Sequence, residues 1–346
     1  MKVAKLEKPE TFLLETRERP VLEAGEVIVR VAEVGICGSD LKMYRGLHPV
    51  LKPPMVLGHE VLGTVEEASG IPFKRGDVVM VFPPVGDGTC RSCLRGDPHL
   101  CDAMEVIGAQ RPGGLAEYVR VPEGNLFAVP PDVPDALRIL IEPLAVGVHA
   151  ADRARASAED ECLVIGAGPV GLFTALALQH SGASRVVITD IKQSRLNLAA
   201  ELGLETIRAL DDAVAYKTAL NRPDGLDVFM ECVGSNDAVD LGLGVTRRGG
   251  RVVLVGVEPE RLILDGPAMQ RQERSVIGVQ MYRRDDFMTA ARLLTNGLIP
   301  PTTKPEQLFR VFPLSETAEA FRQMLTGQID ALKVVISHGH SATVAG

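Results

Sequence analysis

Cys37, the triplet Gly58-His59-Glu60 and the pair Glu142-Pro143 supply a thiolate, an imidazole and two carboxylates. They precede a glycine-rich turn, Gly166-Ala167-Gly168-Pro169-Val170-Gly171. The first set offers metal ligands: thiolate and imidazole suit zinc, and Glu60 or Glu142 would add an oxygen while a fourth position stays open. The second offers a seat for a dinucleotide pyrophosphate. Together they imply a metal that polarises an alcohol oxygen while a nicotinamide removes hydride from the adjoining carbon. Singly, each ligand has a plainer role, Cys37 as a small buried apolar residue and His59 as a hydrogen-bonded core histidine. Their order along one chain joins them.

Glycine-rich turns are common, so context decides whether this one binds anything. The apolar run Cys162-Leu163-Val164-Ile165 precedes it, an Ala/Leu-rich helical stretch from Pro169 to His180 follows, and Asp190 ends the next strand. Gly166 permits the tight turn, Gly168 lets the backbone approach the pyrophosphate, and Gly171 allows close helix–strand packing. Pro169 and Val170 open the helix whose free N–H groups would face the phosphates. Asp190 can accept hydrogen bonds from the adenosine ribose and would repel a 2′-phosphate, which favours NAD over NADP. Lys192 and Arg195 lie just beyond it; either could serve a phosphate, though such positions more often are solvated helix residues, and stacking on adenine is the other role open to Arg195.

The elements that must position these groups change character along the chain. Val27–Val31, Gly63–Glu67 and Asp77–Val81 are short β-like runs between Gly/Pro turns, as in a mainly antiparallel unit. From about Glu161, strands alternate with helices: Cys162–Ile165, Arg185–Asp190 with a helix through Leu202, Leu226–Met230, Arg251–Val255 and Ser275–Val279. Such alternation implies a parallel, doubly wound sheet. After Arg283 come helices over Phe287–Asn296 and Ser315–Thr326, then a β-branched terminal strand, Leu332–Ile336, expected to return to the first domain. The domains expected are 1–142 with 283–346, and 143–282; the tail from Ser337 is expected to fray.

A length of 346 residues, with 34 Gly, 23 Pro and 46% hydrophobic residues, exceeds what one core of ~250–300 residues ordinarily holds. A net charge of −8 gives no basic field for nucleic acid, and no Lys/Arg run longer than a pair appears, so no nucleic-acid partner is expected. Neither a signal-peptide core nor a run of ~20 apolar residues is present, so a soluble cytoplasmic protein with no membrane partner is expected. In a reducing compartment, Cys90, Cys93 and Cys101 read as metal ligands rather than disulfides. Cys162 and Cys232 fall on the expected sheet as packing residues.

The sequence resembles the zinc-dependent medium-chain dehydrogenase/reductase family over nearly its whole length. The resemblance rests on Gly35-Ile36-Cys37-Gly38-Ser39-Asp40, Gly58-His59-Glu60, the Cys90/Cys93/Cys101 lobe, Gly113–Tyr118, Ile141–Ala145 and the glycine-rich turn. It implies a GroES-like catalytic domain, mainly antiparallel β, beside a Rossmann domain. The form Glu142-Pro143-Leu144 is similar to the polyol and threonine branches. By resemblance, Cys37 and His59 bind zinc directly, and Glu60 and Glu142 alternate as oxygen ligands. Asp40 accepts the far N–H of His59 and fixes its tautomer, and Ser39 takes the proton from the alcohol.

The reaction implied is hydride transfer to NAD from a secondary alcohol, a polyol or a sugar-derived hydroxyl. L-Threonine 3-dehydrogenase is the alternative, on Arg111-Pro112-Gly113-Gly114, and a zinc-free relative that only binds NAD(P)H is the alternative of another class. Three departures stand out. Lys42 occupies the place where relatives pass the proton outward through a histidine, with His48 nearby. Met281 precedes Tyr282 where polyol enzymes carry an arginine. Asp87 takes the first place of a four-ligand structural zinc lobe, Asp87, Cys90, Cys93 and Cys101, with His99 as another candidate ligand and a degenerate lobe of free thiols as the alternative. By family analogy the subunits form a tetramer, with a dimer second.

Overall fold

A computed structural model describes residues 1–48, 51–70, 72–256 and 261–339. The first stretch holds strands β1 (Lys2–Lys8), β2 (Thr11–Thr16), β3 (Glu26–Ile36), β4 (Glu60–Ala68), β5 (Val78–Val81), β6 (Pro84–Val85), β7 (Glu105–Val106), β8 (Tyr118–Pro122) and β9 (Leu126–Ala128). Helices α1 (Gly38–Tyr44) and α2 (Arg91–Leu94) lie among them. Then come α3 (Ile141–Ala154), β10 (Glu161–Ile165), α4 (Pro169–His180), β11 (Arg185–Asp190), α5 (Gln193–Glu201) and β12 (Glu205–Arg208). They are followed by β13 (Leu226–Glu231), β14 (Thr246–Leu254), β15 (Ser275–Gly278), β16 (Phe309–Pro313) and β17 (Lys333–Ser337). The chain divides into two compact units: 1–142 with 283–297 and 304 onward, and 143–282 with 298–303.

In the first unit the organising strand is β3. It pairs antiparallel with β4 on one side, and on the other with β8 near its start and β17 near its end. Partners on both sides and burial on both faces explain why its sequence is a Val/Ile run rather than a strict alternation. The register places Gly35 opposite Glu60 and Ile36 opposite Val334. The end of β3, the start of β4 and the start of β17 therefore meet at one place. Val29, Val31, Val34, Val61, Leu57, Ile107 and Ile336 pack in the core behind it, each side chain contributing ~1.5–3 kcal/mol on burial. Tyr44, at the end of α1, packs on Phe12 and Phe321 with ring centroids 5.4 and 5.1 Å away. That cluster holds the short helix that carries Ser39 and Asp40.

The second unit is a six-stranded parallel sheet in the order β12-β11-β10-β13-β14-β15. The direction of winding reverses between β10 and β13, and ligands of such sheets bind outside the carboxyl ends of the strands at that point. Leu163, Val187, Phe229 and Val252 are fully buried, which accounts for the continuous apolar runs of these strands. Helix α4 begins with Pro169 at its first position, where a missing N–H costs nothing.

Several elements depart from the sequence expectation. The hairpin β1–β2, the short strands β6 to β9, the edge strand β12 and β16 were not expected from the sequence; all but the hairpin are five residues long or shorter, too short for a periodic pattern to stand out. The expected helix over Phe287–Asn296 starts earlier and spans Arg284–Thr295, because the Arg283 N–H donates to Asp286 Oδ2 at 2.6 Å. The helix expected from Ser315 divides into a 3₁₀ turn, Leu314–Glu316, and a helix over Thr317–Leu325. The turn at 298–303 groups with the second unit rather than the first. The fraying expected beyond Ser337 falls mostly on 340–346, outside the described residues. No helix among the described residues is long and apolar enough to cross a membrane.

Candidate metal centre and cofactor seat

Cys37 follows the last residue of β3 and caps α1; His59 and Glu60 stand at the start of β4. One ligand atom from each of Cys37, His59 and Glu60 lies within 4.8 Å of the others. Gly35 makes this possible, since a Cβ there would overlap the Glu60 carboxylate. Glu60 is fully buried, and its Oε2 has no hydrogen-bond partner. A buried carboxylate oxygen without a donor is costly unless a cation completes it. A thiolate, an imidazole and a carboxylate converging in this way fit zinc. Glu142, buried in the first turn of α3, is not one of this group.

Asp40 ties the centre to α1. Its Oδ2 accepts the Cys37 N–H at 2.9 Å, and its Oδ1 lies 3.4 Å from His59 Nδ1. That second contact is longer than an ordinary hydrogen bond and acts chiefly through charge. Burial opposes a proton on His59, yet the Asp40 carboxylate, with help from Cys37, raises its pKa well above the usual imidazole value. Ser39 is half-buried in the first turn of α1, and Lys42 follows one turn later. His48 is committed elsewhere: its Nδ1 accepts the Leu51 N–H at 3.1 Å, and burial, Lys52 and Lys42 lower its pKa.

Lys333 was missed by the sequence reading. It is 2% exposed, and its Nζ donates to Glu60 Oε1 at 2.6 Å and to the Ile36 carbonyl at 3.3 Å. Burial disfavours its charge, but Glu60, Cys37 and Glu142 outweigh that and raise its pKa. The signal available was a lone lysine heading a β-branched strand, a position that ordinarily reads as solvated.

Asp87, Cys90, Cys93 and Cys101 form a second group whose ligand atoms also lie within 4.8 Å of one another; His99, although buried, is not part of it. Asp87 Oδ1 accepts the N–H groups of Thr89 and Cys90, each at 2.8 Å, and these bonds depress its pKa. Desolvation, then the nearby Cys90, Cys101 and Asp87 side chains, push the Cys93 thiol up to about 11. Three thiols and a carboxylate crowded this closely gain from a shared cation, and zinc accepts such a set.

In the second unit the glycine-rich turn is held from two sides. Gly166 has φ +92°, a conformation that favours glycine. A Cβ on Gly171 would overlap the Gly166 carbonyl. Asp190 Oδ2 accepts the Ala167 N–H at 2.7 Å, and its Oδ1 accepts the Lys192 N–H at 2.8 Å. Arg195 Nη1 lies 3.3 Å from Asp190 Oδ2 and close to Gly168. Glu231, also missed from sequence, ends β13 beside the reversal point. It is fully buried; its Oε1 accepts the Val233 and Gly234 N–H groups at 2.8 and 2.7 Å. That turn packs on the cofactor turn, since Val233 and Cys232 border Gly166. Burial pushes the Cys162 thiol up to about 12 and raises Cys232 as well, so neither is a reactive thiolate. Tyr282 is buried, at 1% exposure, after Met281 with φ +46°.

A Rossmann sheet joined in one chain to a β unit bearing a Cys/His/Glu centre defines a zinc-binding dehydrogenase. Residues 23–131 match the alcohol dehydrogenase GroES-like domain, and residues 169–296 match the zinc-binding dehydrogenase domain. The chain is 34% identical to an L-idonate 5-dehydrogenase of Vitis vinifera, over 92% of this chain and 89% of that protein. It is 32% identical to an L-threonine 3-dehydrogenase of Idiomarina loihiensis, over 90% of this chain and 92% of that one. An alcohol dehydrogenase of Escherichia coli CFT073, crystallised with NADH, superposes with a TM-score of 0.88 at 29% identity, covering 97% of this chain and 99% of that one. The chain belongs to the zinc-dependent medium-chain dehydrogenase/reductase family.

Proposed function

We propose that this protein oxidises a secondary alcohol, within a polyol, a sugar acid or a related hydroxy compound, using zinc and NAD. The observation that carries the reading is the convergence of Cys37, His59 and Glu60 within 4.8 Å, with Glu60 Oε2 buried and without a donor. The names of the two curated relatives each number an internal carbon, 5 and 3, and a hydroxyl on an internal carbon is a secondary alcohol.

When bound, zinc supplies a Lewis acid that makes the alcohol hydroxyl more acidic, and NAD accepts hydride from the carbon bearing it. Cys37, His59 and Glu60 hold the metal, with Glu142 in reserve. Asp40 fixes the His59 ring and the Cys37 main chain together, so that both ligands keep one orientation. Ser39 accepts the hydroxyl proton and passes it outward, and the products are a ketone, NADH and that proton. Gly166, Gly168 and Gly171 admit the pyrophosphate, the α4 N-terminus faces its charge, and Asp190 receives the ribose hydroxyls. A buried aspartate at that place supports NAD over NADP.

Initial rates of NAD reduction over a panel of polyols, diols, hydroxy acids and L-threonine test this directly. Turnover of a secondary polyol or hydroxy acid with NAD is expected. Turnover confined to L-threonine would favour the second reading, L-threonine 3-dehydrogenase, which the similarity to the Idiomarina loihiensis protein supports. NADH binding without turnover of any alcohol would favour a binding protein.

A further inference from the structure

We propose that Lys333 is a positioning residue for the metal centre: it holds Glu60 through one carboxylate oxygen and so limits that ligand to the other. The inference rests on the zinc reading above and adds to it a residue outside the ligand set.

Glu60 is fully buried, and Lys333 is 2% exposed. Their contact, Nζ to Oε1 at 2.6 Å, is supplemented by Nζ donation to the Ile36 carbonyl at 3.3 Å. The lysine is therefore anchored to the last residue of β3, immediately before Cys37. The anchor is built into the sheet, because β17 pairs with β3 at Val334 and Ile36, and β4 pairs with β3 at Glu60 and Gly35. Lysine and glutamate enter from opposite sides of the same strand end. Glu60 Oε1 is thus taken, whereas Oε2 lies over Gly35 with no partner.

A zinc centre that turns over needs three protein ligands and one open position. Cys37, His59, and a Glu60 free to bind through both oxygens would crowd that position. An ammonium on Oε1 withdraws one oxygen and lowers the negative charge offered by the other. It also adds a positive charge close to the metal, which weakens metal binding. Removing the lysine leaves Glu60 buried without a counter-charge, a costly state that the metal alone can relieve. The consequence is counter-intuitive: losing a well-made ion pair should tighten zinc and slow turnover.

The test is the affinity of the zinc equivalent whose return restores turnover, measured by competition with a chelator of known strength on metal-stripped protein, so that the Asp87, Cys90, Cys93 and Cys101 group is counted apart. The set comprises wild type, Lys333→Met, Lys333→Arg, Glu60→Gln and the double variant Lys333→Met/Glu60→Gln. Lys333→Met is expected to bind zinc at least about tenfold more tightly than wild type, as removal of a nearby unit charge implies. Its kcat should fall while NADH affinity is unchanged. Lys333→Arg should restore zinc affinity to within about threefold of wild type, the charge being kept. In the Glu60→Gln background, Lys333→Met should shift zinc affinity less than in the wild type, because the two residues act as one pair. If metal-stripped Lys333→Met does not fold, the competition is run from the zinc-loaded side, where zinc should leave Lys333→Met more slowly than wild type and should leave Lys333→Arg at the wild-type rate. Tightening by Lys333→Arg, weakening or no change in Lys333→Met, or an equal shift in both backgrounds would overturn the proposal. Wild type that binds no zinc would instead overturn the functional reading, and this inference with it.

Discussion

Asp190 Oδ2 accepts the Ala167 N–H at 2.7 Å, so the acidic end of β11 and the glycine turn after β10 are locked to each other. The residue expected to meet the ribose also shapes the loop expected to meet the pyrophosphate. Asp190→Gly should therefore cost twice. NADH affinity should fall by about 1–3 kcal/mol, and stability should fall by a comparable amount as the buried Ala167 N–H loses its acceptor. The preference for NAD over NADP should narrow. Asp190→Asn keeps an acceptor and should spare most of the stability. Cofactor titrations and thermal unfolding of both variants check this, and a wild type that already prefers NADP would reassign the phosphate to Lys192 or Arg195.

Cys37→Ser and His59→Ala should each lose one of two zinc equivalents and fall in turnover by at least about a hundredfold, on the scale of removing groups that stabilise a transition state. NADH affinity should stay within about twofold, because the residues expected to hold the cofactor, Gly166 to Arg195, belong to the other compact unit and none of them is a metal ligand. Metal analysis and NADH fluorescence titration check the two halves separately. A matching loss of NADH binding would make these residues structural.

The strand and helix signals that surround the chemistry were plain in the sequence because they are periodic and apolar. Pro169–His180 was legible to the residue, and the runs at Cys162, Arg185 and Leu226 stood where β10, β11 and β13 lie. Glycine spacing announced the cofactor turn for the same reason, since backbone geometry is written locally. Lys333 and Glu231 were not legible. Each is a charged residue at a strand end, and only non-local pairing buries it: β17 returning to β3, and β13 lying between β10 and β14. That Glu60 rather than Glu142 joins Cys37 and His59 in the tight group was equally hidden, because spacing shows which ligands exist but not which oxygen a distant lysine occupies.

Glu231 makes a pH prediction. Burial raises its pKa above the usual carboxylate value, against hydrogen bonds from Gly234, Val233, Gly256 and Ser235. A group whose folded pKa is raised stabilises the fold below its unfolded pKa, and that stability is lost as pH rises through the folded pKa. Glu231→Gln keeps an oxygen for Val233 and Gly234 but has no charge to bury. The melting temperature of the variant minus that of wild type should become more positive from about pH 4 to about pH 8, a range that spans carboxylate titration. A difference independent of pH would show that Glu231 stays ionised at no cost.

The Asp87, Cys90, Cys93 and Cys101 group should bring the zinc content of the subunit to two equivalents. Asp87→Ala should loosen the second metal and lower the melting temperature, because metal bound only by the folded state adds to its stability. Turnover per folded subunit should change little. One zinc per active subunit, with the three thiols open to a thiol reagent, would show the group to be empty of metal.

The most direct measurement is NAD reduction by the best secondary alcohol substrate before chelation, after chelation and after zinc is restored, with NADH affinity recorded at each stage. Turnover should vanish with the metal bound at Cys37, His59 and Glu60, return with zinc, and leave NADH affinity unchanged throughout. Full turnover by a subunit shown to carry no metal would contradict zinc-dependent alcohol oxidation by this protein.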